Sequence, residues 1–392
     1  VLDTVCALRL EQEVVLFGSI AVGVAAVSVA VAQAWSPQIS GTTNRLEAVW
    51  FSDGVHGWAV GEAGTSLKTD DGGSGWTPFN LTNQDLEDVA FVGRNVGLIV
   101  GDDGLIFRTS NGGQNWSQVT SGTSSNLRAV AFGTGGRTYA AGDDGVILRS
   151  TDEGANWSVV ETGSVRWEGL FGIDDQRAYV VGRDGNIKVS GNGGAGWSDQ
   201  TSGTTSDLKD VYFTGLTDGW AVGQNGVALY TSNGGNSWAA RDSGIDFGLD
   251  GVNFVSTDQG WVVGDSGAIF YTTDHGTSWA VEPSAVSVEL NGVFFSGVSR
   301  GWAVGDNGTI LHRQSQAVEE VGERLTADPA SPAVVRYMLT LAGQTSATLH
   351  DVNGRQVIDL SPGQNDVSRV APGVYFVHRQ AQGIALRVAI LH

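Results

Sequence analysis

Sulfur is almost missing from this chain: one cysteine, Cys6, and one methionine, Met338, occur in 392 residues. A single thiol excludes an internal disulfide framework and a cysteine zinc site. Histidine is also sparse, and its six copies do not cluster along the chain, so a histidine metal centre is not expected. Positive charge is scarce as well. The 22 Lys and Arg residues face 42 Asp and Glu, a net charge of −20. That balance disfavours nucleic acid and anionic membrane surfaces as partners.

What the chain has in quantity is glycine, 57 residues, and much of it is periodic. A Val-Gly or Ala-Gly step, two mostly polar residues and a second Gly recur at Gly61/Gly64, Gly101/Gly104, Gly142/Gly145, Gly182/Gly185, Gly223/Gly226, Gly264/Gly267 and Gly305/Gly308, every 40 or 41 residues. A repeat of this length with strand-like content implies a radial array of small sheets. Each repeat opens with an apolar run, L-x-x-V-x-F, starting at Leu46, Leu86, Leu127, Trp167, Leu208, Leu249 and Leu290. Its β-branched and aromatic residues predict a strand buried on both faces, suited to the innermost position of a blade. A second strand follows, as in Gly57-Trp58-Ala59-Val60-Gly61, and the Gly-x-x-Gly then predicts a tight hairpin. Asp or Asn before the second Gly suits the positive φ of such a turn.

The most specific element is T/S-x-D/N-x-G-x-x-W. Thr69–Trp76, Ser150–Trp157 and Thr272–Trp279 carry the acid as Asp71, Asp152 and Asp274. Thr109–Trp116, Ser190–Trp197 and Thr231–Trp238 carry Asn111, Asn192 and Asn233 instead. The side-chain oxygen can accept backbone N–H groups of its own turn, and the Trp can cover the loop and begin an outer strand. The element resembles the Asp-box, or bacterial neuraminidase repeat. This gives a structural role to Asp71, Trp76, Asn111, Trp116, Asp152, Trp157, Asn192, Trp197, Asn233, Trp238, Asp274 and Trp279.

Six boxes accompany seven inner strands. Trp35 stands 41 residues before Trp76 and is followed by a Ser-Gly-Thr-Thr stretch like those after other boxes. It is therefore expected to supply the outer strand of the last blade and close the ring. The fold class is all-β: a seven-bladed propeller of four-stranded blades over 35–315, then a linker over 316–326 and a small β-sandwich over 327–392.

Residues Val14–Ala34 are uncharged and end in Ala32-Gln33-Ala34, which reads as a signal peptide over 1–34 with cleavage after Ala34; a membrane anchor is the rival reading. The C-terminal region contains Asp328-Pro329, Asp351-Val352-Asn353-Gly354-Arg355, Pro372-Gly373-Val374-Tyr375 and Arg387 before a last apolar run. It resembles the C-terminal sorting domain of type IX secretion cargo, with Asp328 in place of the usual Asn and Arg387 in place of a Lys pair. That resemblance implies type IX-like secretion machinery as a partner and a secreted or outer-membrane surface location in a Gram-negative-type bacterium.

The combination G-W-A-V-G-x-x-G and T-x-D-G-G-x-x-W at this step resembles the photosystem II assembly/stability factor propellers. The resemblance implies a non-enzymatic scaffold that binds a protein or peptide client; a cell-surface polymer is an alternative partner. The family's function is associated with an arginine-rich surface, but Arg45, Arg128, Arg166 and Lys209 fall at unequal repeat positions, so the sequence does not assemble such a patch. Asp-boxes also occur in sialidases and some endoglucanases, so a glycoside hydrolase or carbohydrate-binding propeller is the competing reading. The nearly equal repeats leave no insertion from which to build a cleft between two carboxylates. No catalytic residue and no cofactor is expected. Asp102, Asp103, Asp143, Asp144, Asp184, Asp265, Asp306 and Glu62 are placed on one face, where they can attract Ca²⁺ or simply serve their turns. Trp50, Phe171, Tyr212 and Phe294 share one inner-strand position, where packing between blades is favoured over lining a tunnel.

Overall fold

The computed structural model describes residues 35–241 and 243–314 and, further on, 338–341, 347–351, 355–361, 363–366, 370, 373–379 and 385–390. The expected leader over 1–34, with its cleavage at Ala34, and the linker over 316–326 lie outside the described residues. Among those described, no helix is long and apolar enough to cross a membrane. The chain divides into two compact units, one ending at Ala317 and one starting at Val318.

The first unit is a seven-bladed propeller made of seven antiparallel four-stranded sheets. The first blade runs through Leu46–Phe51, Gly57–Gly61, Ser66–Thr69 and Thr77–Pro78, from the axis outward. Five blades repeat this order. The seventh takes its outer strand from the start of the described chain: Trp35–Gln38 pairs antiparallel with the strand Thr309–Gln314, with Trp35 opposite Arg313 and Gln38 opposite Ile310. The pairing expected of Trp35 is therefore present, and the sheet edge that an open ring would expose is covered.

Local chemistry explains the turns. In every blade the residue before the second Gly of Gly-x-x-Gly sits near φ +55°, as at Asp103 and Asn307. Asp and Asn tolerate this left-handed region better than most residues. The Gly that follows is fixed by crowding too: a Cβ on Gly64 would fall 1.9 Å from the Thr82 carbonyl oxygen.

Aromatic stacks hold blade to blade. The last aromatic of an inner strand lies flat on the second-strand aromatic of the preceding blade, as in Phe51 on Trp302 at 3.5 Å, Phe91 on Trp58 at 3.8 Å and Phe254 on Trp220 at 3.7 Å. The same Phe meets the Trp of T/S-x-D/N-x-G-x-x-W in its own blade edge-on, as in Phe51–Trp76 and Phe91–Trp116. In the seventh blade Phe295 stacks on Trp261 and meets Trp35 edge-on at 5.8 Å, so Trp35 fills the place of the missing box Trp. Stacked and T-shaped geometries are the favoured ones for aromatic pairs. The fourth blade has Gly172 where the Phe would be, and there Tyr139 meets Trp197 directly.

The second unit contains a two-stranded sheet, Met338–Leu341 with Gly363–Asp366, and a four-stranded sheet ordered Gln356–Leu360, Ala347–Asp351, Gly373–Arg379, Ala385–Ile390. Leu349, Leu360 and Val370 are buried in it. Asp351 ends one strand and Gln356 starts the next, so the D-x-x-G-R motif spans a strand connection whose residues 352–354 lie outside those described.

Candidate binding face and axial channel

The inner strands surround an axial channel of about 730 Å³. Each carries a bulge just after its first residue, as between Leu46 and Ala48 and between Leu127 and Ala129. Leu46, Val49 and Phe51 pack into the blade, while Glu47, Ala48 and Trp50 are half-buried and line the channel. The bulge turns the second residue toward the rim, where the strand begins. The residue before the strand lies at the same rim, because Arg45 O accepts the N–H of Glu62 from the Gly-x-x-Gly turn.

That geometry gathers charges which the repeat phase separates. Arg45 and Arg166 precede the strand, Arg128 and Lys209 occupy its bulge, and all four line one rim. Each is held by acids. Arg45 pairs with Glu47 at 2.7 Å, Arg128 with Glu87 at 3.0 Å and with Asp143 at 2.9 Å, and Arg166 with Glu168 at 2.9 Å. Lys209 and Arg183 also approach Glu168, at 4.0 and 3.6 Å. Burial pushes Glu47 up to about 7 despite Arg45, and pushes Glu87 up despite Arg128. Burial acts on Asp143 in the same direction, but its hydrogen bond to Arg128 and the nearby guanidinium charges hold it below the usual carboxylate range. The rim is thus a mixed ring. Its cations concentrate on the third to fifth blades, and the sixth and seventh bring Asp250, Asp265, Glu289 and Asp306.

The turn acids expected to form a Ca²⁺-attracting ring do lie beside this rim, yet they do not converge as one group. Among the described residues one acidic cluster has carboxylate oxygens within 4.8 Å of one another, and it combines Asp265 with Asp250 and Glu289. Three carboxylates are few for a cation that takes six to eight oxygens.

The T/S-x-D/N-x-G-x-x-W turns lie on the opposite face, where Gly72 N–H donates to Val55 O in the loop closing the inner hairpin. In the first, Asp71 Oδ1 accepts the Thr69 hydroxyl at 2.8 Å and the Gly75 N–H at 2.9 Å, while Thr69 Oγ1 accepts the Gly73 N–H at 2.9 Å. Asn111, Asp152, Asn192, Asn233 and Asp274 make the equivalent pair of bonds. Asp71, Asp152 and Asp274 are held below the usual carboxylate range, chiefly by the Gly75 N–H, the Asn156 side-chain amide and the Ser278 hydroxyl respectively. Trp76 and Trp238 donate their indole N–H groups to Gln38 and Gln200 on neighbouring blades, and Trp157 donates to Gly154 O. Trp116, Trp197 and Trp279 complete the set as partly buried rings against the blade cores.

The family described as photosynthesis system II assembly factor YCF48 matches residues 27–119, 79–200 and 240–314, more than half of the chain. The chain belongs to this family. Solved structures agree on the fold. One titled "YCF48 bound to D1 peptide" is similar at a TM-score of 0.63 and 23% identity, covering 73% of this chain and 96% of that one. YCF48 from Cyanidioschyzon merolae is similar at 0.62 and 21%, covering 72% and 99%. The WD40 β-propeller domain of Doa1 is similar at 0.59 with 11% identity, covering 71% and 98%. No curated protein matches the chain.

In this family member the aromatic position shared by Trp50, Phe171, Tyr212 and Phe294 packs between blades, as favoured, and faces the channel as well. These side chains line the channel, and there they also meet across blade boundaries: Trp50 with Phe294 at 4.9 Å and Phe171 with Tyr212 at 4.8 Å. Trp167, at the first inner-strand position, is fully buried as packing demands. Two channel residues carried no signal in the repeat. Asp88 and Asp210, third in their strands, each bridge to the next blade by accepting a backbone N–H, from Val130 at 2.8 Å and from Val252 at 2.9 Å. Other blades have Ala or Gly there, so the acid itself was the available clue.

Proposed function

We propose that this propeller is a non-enzymatic assembly factor that grips a protein or peptide client on the face bearing the charged rim. The observation that carries the reading is the convergence of Arg45, Arg128, Arg166 and Lys209 on that rim from unequal repeat positions. Their acidic partners hold them in place, and a client segment of complementary charge can exchange with those partners. A similar propeller described as YCF48 bound to D1 peptide supports a peptide as the kind of client.

We take residues 1–34 as a signal peptide cleaved after Ala34 and residues 327–392 as a type IX-like sorting β-sandwich. Their combination implies export to the cell surface or medium. The six T/S-x-D/N-x-G-x-x-W turns are read as Asp-boxes that stiffen the blades. The motifs quoted above support these assignments, and Edman sequencing of exported protein that begins at Trp35 is the expected check on the leader.

The client reading is tested by cross-linking the full chain in its native envelope and quantifying captured protein. Arg128→Glu with Arg166→Glu is expected to lower capture roughly tenfold or more, as for truncated interfacial charge pairs. Undiminished capture by the folded double variant, or turnover of sialosides or β-glucans by the parent, would overturn the reading.

A further inference from the structure

The channel is not uniform around its axis. At the fifth inner-strand position the ring reads Trp50, Ala90, Ala131, Phe171, Tyr212, Asn253 and Phe294. The two alanines are adjacent, so the second and third blades leave a space flanked by Trp50 on one side and Phe171 on the other. Two residues earlier in the strand the second blade presents Asp88, and the fifth presents Asp210.

These two carboxylates differ from the acids on the cationic side of the rim. Glu47, Glu87, Asp143 and Glu168 each have an arginine partner. Asp88 and Asp210 accept only backbone N–H groups, Val89 and Val130 for the one and Val211 and Val252 for the other, and neither has a cationic partner among the described residues. A carboxylate has about four lone-pair sites, so each retains acceptor capacity. Burial pushes both up to about 7, which marks the cost of ionising them unpaired.

A further polar group lies at the channel wall. Asn253 lines the same channel, is only 7% exposed, and its Oδ1 has no hydrogen-bond partner. Rotation about χ2 exchanges this oxygen with the amide nitrogen, so the group can turn an acceptor toward a ligand. Leaving a buried amide unpaired is costly, which favours anything that supplies a donor.

We infer that the axial channel receives a cationic side chain, the arginine or lysine of a client segment, in the space between Trp50 and Phe171. The inference rests on the client reading above and adds the chemistry of the residue that enters. Aromatic faces attract cations through the ring quadrupole. Unpaired carboxylates and an amide oxygen supply acceptors, and a guanidinium or ammonium brings only donors. A carboxylate-bearing group would meet two uncompensated negative charges, and an apolar group would leave both carboxylates without a counter-ion.

Isothermal titration of the full chain at pH 8, where the channel carboxylates are ionised, tests this with the pentapeptide acetyl-Ala-Ala-Arg-Ala-Ala-amide and its citrulline counterpart. The arginine peptide is expected to bind at least roughly tenfold more tightly. Ala131→Phe fills the space with the residue that the fourth and seventh blades already carry at this position, so the fold should hold, with an unchanged melting temperature as the check. Its expected effect is loss of the arginine preference. Equal affinity for the two peptides, no binding of either, or a preference unchanged by Ala131→Phe would overturn the inference. A client captured at the rim but indifferent to Ala131→Phe removes the channel inference and leaves the client reading standing. Arginine binding without client capture removes the client reading alone.

Discussion

Trp35 donates its indole N–H to Glu282 Oε2 at 2.8 Å, across 247 residues of chain. Both groups are buried, and Arg313 completes the contact with bonds to both carboxylate oxygens at 2.9 Å. Arg313 also lies over the Trp261 ring and donates to Val298 O. One carboxylate at the end of the sixth blade thus ties down the two adjacent outer strands of the seventh.

Removing that carboxylate leaves a mostly buried guanidinium without its counter-ion and an indole N–H unpaired. Glu282→Ala is expected to cost about 3–5 kcal/mol, the range for breaking a buried ion pair from one side. Glu282→Gln keeps an acceptor for the indole and should cost less. Urea denaturation checks the order. A loss below about 1 kcal/mol for the Ala variant would show that strand pairing alone closes the ring.

The stacked Phe residues demand glycine beneath them. A Cβ on Gly260 would sit 2.4 Å from the Phe254 ring. Gly260→Ala should therefore destabilise by about 1–3 kcal/mol, as overpacking does. The fourth blade already carries Ala178 at this place, opposite Gly172. Adding Phe254→Gly to Gly260→Ala should make the alanine itself harmless, although the double variant loses its stack. A double-mutant cycle on melting temperature reads this coupling.

The buried acids set a pH dependence of unusual sign. Burial pushes Asp88 and Asp210 up to about 7, and Glu47 and Asp250 likewise, despite Arg45 and Lys209. Above pH ~4 the unfolded chain has released protons that the folded chain still holds. The folded state binds more protons between pH ~4 and 7, so stability falls as pH rises through that window and levels off above it. The depressed carboxylates Asp71, Asp152 and Asp274 act elsewhere. Their stabilisation is present above the unfolded value and is lost as pH drops below ~4. Urea midpoints at pH 4.5, 6.0 and 7.5 should decline in that order, with a shallower decline in Asp210→Asn. A rising series would contradict the account.

At the turn acids the amide does the work of the acid. Asn111, Asn192 and Asn233 accept the same backbone N–H and hydroxyl bonds that Asp152 accepts in its blade. Asp152→Asn should cost little, within about 0.5 kcal/mol, and Asp152→Ala about 0.5–1.5 kcal/mol for the lost bonds. Equal losses for the two would mean that charge, not geometry, matters at this turn.

Glycine and tryptophan spacing made the blade count and the closing role of Trp35 legible, because tight turns and aromatic stacks each demand one residue type. The rim was not legible. Arg45 and Arg128 stand one residue before and one residue after their buried leucines, and only the bulge brings both positions to the same edge. Glu282 was equally hidden, since its partners Trp35 and Arg313 are distant in sequence and no repeat position marks it. The channel aromatics looked like blade packing because they are that as well: Trp50 touches Phe294 while facing the axis.

Hydrogen–deuterium exchange of the full chain, free and with its cross-linked client, tests the central claim most directly. The account predicts added protection at the Gly-x-x-Gly turns and the starts of the inner strands, around residues 45–47, 126–128 and 166–168. Protection confined to the opposite face, around the turns at 70–75 and 151–156, or to the outer strands, would contradict it.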